Sequence, residues 1–192
     1  MNKKTETSRL TFMGVMFALT IVFILTTMVP NPSSANIAVL VFLPTILTGV
    51  IHGPKWGSLM GLFAGTSSLL RALLMPNSPL DPFLINPLIS VVPRICIGLV
   101  AALVFNLLSK KLKANPVISS SIAAGFGMFT NTTLVIGSLY LLYGQSAAGI
   151  LGAGFTVALG AIFLSNGLLE IAIAAIIIPI IYGAYNRYNK RK

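Results

Sequence analysis

Six long apolar stretches, with basic residues in every second gap between them, constrain most strongly what this 192-residue chain can fold into. They run over Leu10–Val29, Ile37–Ile51, Trp56–Met75, Leu88–Leu108, Val117–Tyr143 and Ile150–Tyr185. A bilayer core of about 30 Å takes roughly 20 apolar residues as a helix, and most of the stretches reach that length. The second is short, about 22 Å at 1.5 Å per residue. The last is too long, so Gly149–Gly154 reads as a loop or re-entrant piece before the final span. Continuous apolar runs, instead of alternating ones, make helices and not barrel strands the spanning form. The predicted fold is an all-α membrane protein, a single transmembrane domain over 1–192. Its six-helix bundle has spans at about 10–29, 37–51, 56–75, 88–108, 117–143 and 155–185.

Only 8% of the residues are charged, against about 25% in a soluble domain, so the chain has too little polar surface to face water. Its net charge of +10 would suggest nucleic acid in a soluble protein; here the placement of the charges excludes that partner. Lys3, Lys4 and Arg9 precede the first span, and Lys55 lies between the second and third. Lys110, Lys111 and Lys113 separate the fourth and fifth, and Arg187, Lys190, Arg191 and Lys192 follow the sixth. The alternate gaps, Pro30–Asn36, Pro76–Phe83 and the segment after Gly144, contain no Lys or Arg. That asymmetry predicts a multi-pass protein of the cell membrane with both termini and all the basic loops in the cytoplasm. Ser33-Ser34-Ala35 resembles a signal-peptide cleavage site, but the preceding apolar core exceeds the usual 7–15 residues, so the first span is expected to be retained.

Arg71, Arg94 and Glu170 lie inside the spans, where each costs on the order of 3 kcal/mol and needs a partner or a purpose. Counted from the basic side, Arg94 is roughly 21 Å deep, Asn131 roughly 22 Å and Glu170 roughly 24 Å. Three polar groups on three helices thus reach nearly one level in the outer third. Asn166 shares a helix face with Glu170. Pro93 lacks a backbone donor, which frees the carbonyl of Ile89 near the outer mouth. Such a cluster suits a small-molecule site in a helix bundle. The alternative is a structural Arg94–Glu170 ion pair with an Asn131 that joins helices; the charge balance favours the site. Glu170 can neutralise only one arginine, which leaves one positive charge facing the outer cavity; Arg71, four residues before Met75, reads as snorkelling to the outer interface. If Arg94 is only partly satisfied, its planar fork suits a carboxylate, with Asn131 and Asn166 bonding amide or hydroxyl groups. Tyr140, Tyr143 and Phe83 sit near the same mouth, either over a solute or in the interfacial aromatic belt.

Gly49, Gly53, Gly57, Gly61 and Gly65 recur every four residues, and Gly14 with Ala18 repeats the spacing in the first span. Small residues at this interval let a second helix approach closely, either within the bundle or on a partner membrane protein. The inventory excludes much else. The chain has no P-loop sequence, and one histidine, one cysteine and three acids are too few for a metal site or a catalytic triad. No enzyme activity and no cofactor are expected. A proton relay needs more intramembrane acids than Glu170, and no internal repeat marks a standard secondary transporter. An autonomous secondary carrier or channel is the rival class, as is an assembly subunit without ligand. A solute binder driven by other subunits fits best.

The ordered set Gly14-x-x-x-Ala18, Gly53-Pro54-Lys55-Trp56-Gly57, Asn86-Pro87-Leu88-Ile89-Ser90-Val91-Val92-Pro93-Arg94, Thr130-Asn131-Thr132 and Asn166-Gly167-Leu168-Leu169-Glu170 resembles the substrate-binding S components of energy-coupling factor (ECF) vitamin transporters. The resemblance covers essentially the whole chain and is closest to the pantothenate-type members, a group also associated with hydroxymethylpyrimidine. It implies six helices, vitamin capture near the outer face, and assembly with a transmembrane coupling subunit and two cytoplasmic ATPases. It also implies that the loaded protein topples in the bilayer. The family's first-helix motif is usually Ala-x-x-x-Ala; Gly14 departs from it. On this reading Arg94, Asn131, Glu170, Asn166 and Asn86 contact substrate, while Gly14, Ala18, Gly57 and Gly61 face a partner. Pantothenate, with a carboxylate, hydroxyls and an amide, suits Arg94 and the asparagines. A neutral pyrimidine would leave Arg94 without a counter-charge and ranks second.

Overall fold

The computed structural model of the chain describes residues 3–27, 38–76, 81–151, 154, 157, 160, 164 and 167–189. Every regular element among them is helical: α1 (Lys3–Thr26), α2 (Leu43–His52), α3 (Pro54–Leu74), α4 (Asp81–Leu84), α5 (Pro87–Ser90), α6 (Val92–Asn106), α7 (Pro116–Leu151) and α8 (Leu168–Asn189). A 3₁₀ turn, Ala38–Phe42, leads into α2, and a π turn, Leu107–Lys111, follows α6. Five helical segments are long and apolar enough to cross a membrane, and the stretch Val39–His52 is a shorter apolar helix. Helix α7 continues to Leu151, through the first half of Gly149–Gly154, the segment read from sequence as a loop or re-entrant piece.

The short helix is the centre of the bundle. Leu43 through Val50 are all buried, and α2 packs against α1, α3, α6, α7 and α8. A helix enclosed on every side is apolar over most of its surface; its polar side chains, Thr45, Thr48 and His52, fall along one face. It ends because Gly53 takes φ 92°, a left-handed region that favours glycine, and Pro54 then opens α3 at a position where its missing N–H costs nothing. Around this core α3 packs on α6, α6 on α7 and α7 on α8.

The outside of the bundle is hydrophobic and part of its inside polar. Val15, Leu25, Leu70, Leu103, Ile118, Phe126, Ile176 and Ile180 are exposed, whereas Thr45, Thr48, Asp81, Ser90, Arg94, Ser119, Ser120 and Asn131 are buried. Exposed apolar surface on this scale needs a nonaqueous surround.

The seam of small residues on α3 is occupied within the chain. A Cβ on Gly57 would lie 2.6 Å from the carbonyl oxygen of Gly98, one on Gly65 2.7 Å from the Cα of Val91, and one on Gly61 would strike the carbonyl of Arg94. Gly57 and Gly61, expected at a partner interface, therefore have their bare faces covered by α6, and both are buried. The corresponding face of α1 is open: nothing lies within 4 Å of a Cβ built on Gly14, and Ala18 is exposed.

Ring contacts bring the basic segments to one end of the bundle. Phe12 of α1 meets His52 at the close of α2 (centroids 4.7 Å apart) and Tyr185 of α8 (6.0 Å), and Phe105 of α6 meets Tyr182 of α8 (5.2 Å). Arg9, Lys55, Lys110, Lys111, Lys113 and Arg187 neighbour these residues in sequence, so this is the basic end.

Candidate functional site

Arg94 is held by the consequence of its own neighbour. Because Pro93 donates no backbone hydrogen bond, the carbonyl of Ile89 is left free, and Arg94 Nη1 donates to it at 2.9 Å. The guanidinium also lies over the Phe42 ring, 5.2 Å from the centroid, a cation–π contact that strengthens when water is excluded. Arg94 is only 7% exposed. Among the described residues its Nε has no hydrogen-bond partner, and neither does Asn131 Oδ1 or Thr45 Oγ1, each of them buried.

Helix register brings those three groups to one level. Helices α2 and α6 run in parallel and touch where Gly49 meets Gly98, since a Cβ on Gly49 would lie 2.5 Å from the Gly98 carbonyl oxygen. One turn back along both helices are Thr45 and Arg94. Helices α6 and α7 are antiparallel and touch where Gly127 faces Ile97 and Ala101. One turn away from the basic end on each brings Asn131 opposite Arg94. Buried polar atoms are nearly always paired. A donor and two acceptor-capable oxygens left open, on three elements at one depth, are the groups a polar ligand would pair.

Glu170 is close enough for its charge to bear on Arg94, but no ion pair within 4 Å joins them among the described residues. Gly167 packs on Thr132 (2.9 Å to Cγ2 from an ideal Cβ), and Ser121 Oγ donates to the carbonyl of Ala175 at 2.6 Å. That register puts Glu170 about a turn nearer the basic end than Asn131, on a helix that reaches α6 through α7. Asn166 lies outside the described residues. Asn86 has local work: its Oδ1 accepts from Leu88 N at 3.0 Å, capping α5, and its Nδ2 donates to Tyr143 Oη at 3.3 Å. Tyr143 also meets Phe83 edge-on at 5.1 Å, so these two rings close the far end of the bundle. Tyr140 is exposed and takes no part in that cover.

Arg71 does not snorkel to the interface. It forms a two-pronged ion pair with Asp81, through Nη1–Oδ2 at 3.2 Å and a shorter Nη2–Oδ1 contact. Asp81 is fully buried and the Arg71 side chain is 13% exposed. Asp81 falls in the Pro76–Phe83 gap between spans, so the sequence alone gives Arg71 no partner of its own; the structure supplies one. Asp81→Asn is expected to lower stability by about 2 kcal/mol, below the full cost of a broken buried pair because Arg71 keeps some exposure. Thermal unfolding in detergent measures this.

Thr45 and Phe42 were missed in the sequence. Both sit in an unbroken apolar run, and only the four-residue step from Thr45 to Gly49, a helix-contact glycine, hints that the threonine faces α6.

A helical bundle with a lipophilic exterior, a partly polar interior and several segments long and apolar enough to cross a bilayer is a multi-pass membrane protein. The sequence pattern of the family described as "ECF transporter, substrate-specific component" matches residues 8–182, and the chain belongs to that family. It is a transport protein, not an enzyme. It is also 28% identical over 203 aligned positions, covering 96% of this chain and 97% of the relative, to the pantothenic acid transporter PanT of Lactococcus lactis subsp. cremoris strain MG1363.

Proposed function

We propose that this chain is the pantothenate-capturing component of an ECF importer, with ATP hydrolysed by partner subunits. The observation that carries this reading is the buried guanidinium of Arg94, with Nε open and no ion pair within 4 Å among the described residues, at the helix level of Asn131, whose Oδ1 is also open. A carboxylate ligand supplies the missing counter-charge through charge-assisted hydrogen bonds, and the amide or a hydroxyl of the same molecule donates to Asn131. Thr45 completes the polar wall. Asn166 and Glu170 are assigned to the ligand's remaining polar groups, and Asn86 holds Tyr143 over the entrance. The likeness to a protein named for pantothenic acid supports this choice over a neutral pyrimidine.

In this reading six spans cross the cell membrane, with the basic end, both termini and the ATPase subunits in the cytoplasm, and the Arg94 site loads from outside. The open face of Gly14 and Ala18 meets the transmembrane coupling subunit. Retention of labelled pantothenate by the purified chain tests the capture step; no retention at micromolar ligand contradicts it. Asn131→Ala is expected to weaken retention about tenfold, the worth of one buried hydrogen bond. For the topology, single cysteines at positions 55 and 113 in a Cys96→Ser background are expected to resist a membrane-impermeant maleimide in intact cells and react after lysis. Labelling in intact cells would reverse the assigned orientation.

A further inference from the structure

The basic end of the bundle holds a cleft that plays no part at the Arg94 level. It has a volume of about 990 Å³ and lies between the first turn of α7 and the last turns of α8. Val117, Pro179, Ile180 and Gly183 form its walls, Lys113 and Arg187 stand among its lining residues, and among the described residues no carboxylate does. Two cations beside one apolar cleft make it favourable for an anion. The amino end of α7, whose dipole also favours negative charge, opens on the same cleft. Lys113 takes φ 52°, a conformation more easily held by glycine or asparagine, yet a cation stands there.

A free anion would use the charges and ignore the walls. An acyl chain alone would use the walls and ignore the charges. Ile180 is exposed at the bundle surface, so the cleft is continuous with the lipid-facing side of α8 in a chain that spans a membrane. A basic pocket between helices at one membrane boundary suits an anionic headgroup. We infer that this cleft binds one anionic phospholipid, its phosphate between Lys113 and Arg187 and an acyl chain along Val117 and Ile180.

Native mass spectrometry of the full chain in detergent, titrated with phosphatidylglycerol, tests this. One tightly retained lipid is expected on the unaltered chain. The double variant Lys113→Gln/Arg187→Gln is expected to bind it about 30-fold more weakly. Lys110→Gln/Lys111→Gln removes the same charge away from the cleft and is expected to change affinity by less than about twofold. Gly183→Leu keeps every charge and narrows the cleft beside Val117, whose Cγ2 lies 3.9 Å from a Cβ built there; it is expected to weaken lipid retention at least about tenfold. Phosphatidylethanolamine and glycerol 3-phosphate are expected to compete poorly. An equal loss in the Lys110/Lys111 variant would overturn the site in favour of diffuse surface charge. Competition by glycerol 3-phosphate as strong as by the lipid would overturn it in favour of a free-anion pocket.

Discussion

Arg94→Ala is expected to weaken pantothenate binding by about two orders of magnitude while leaving the protein folded. The loss in binding follows from removing a charged donor from a buried site where water cannot replace it; such truncations cost about 2–5 kcal/mol. The small effect on folding follows from the same geometry. Arg94 forms one hydrogen bond, to the Ile89 carbonyl, and one ring contact with Phe42, but its Nε is unpaired. Deleting a buried and incompletely satisfied charge recovers much of its desolvation cost. Arg94→Lys is expected to restore only part of the affinity, because an ammonium cannot offer the planar fork. Calorimetric titration beside thermal unfolding of each variant separates the two effects. Parallel loss of stability and binding would make Arg94 a structural residue.

Gly61→Leu is expected to show the reverse pattern, with the fold failing first. An added Cβ would strike the carbonyl of Arg94 and lie 2.8 Å from the Cα of Ile95, and backbone cannot move aside as a side chain can. Overpacking of this kind costs about 3 kcal/mol or more. Because α3 and α6 would separate at the residue that carries the site, binding should fall with stability. Gly14→Leu serves as the contrast, since its Cβ meets nothing within 4 Å. Its stability should stay within about 0.5 kcal/mol of the parent. The proposed docking to the coupling subunit should weaken instead. Maleimide reactivity of half-buried Cys96 during heating follows unfolding in both variants, and an equal melting temperature for Gly61→Leu and the parent would contradict the packing of the seam.

The parts of this architecture that depend on apolar run length and backbone chemistry were open to reading from sequence. Helical character follows from continuous apolar runs, and the free Ile89 carbonyl follows from Pro93. What stayed hidden depended on the rotation of one helix against another. Gly14 and Gly61 carry the same spacing signal, yet one is bare and the other lies against α6, because local sequence does not say which face a neighbour takes. Asp81 looked like a loop residue, and its burial against Arg71 arises only when the chain folds back after α3. Thr45 was invisible for a similar reason: in a helix buried all round, a threonine bonded to its own backbone, as Thr48 is to the Pro44 carbonyl, and one aimed at a neighbour look alike.

The most direct measurement compares pantothenate with the analogue in which its carboxylate is replaced by a hydroxymethyl group, titrated calorimetrically into the purified protein. If Arg94 anchors the carboxylate, pantothenate binds and the alcohol binds about a hundredfold more weakly, with the gap closing in Arg94→Ala. Equal affinity of the unaltered protein for both molecules would contradict a carboxylate held at Arg94.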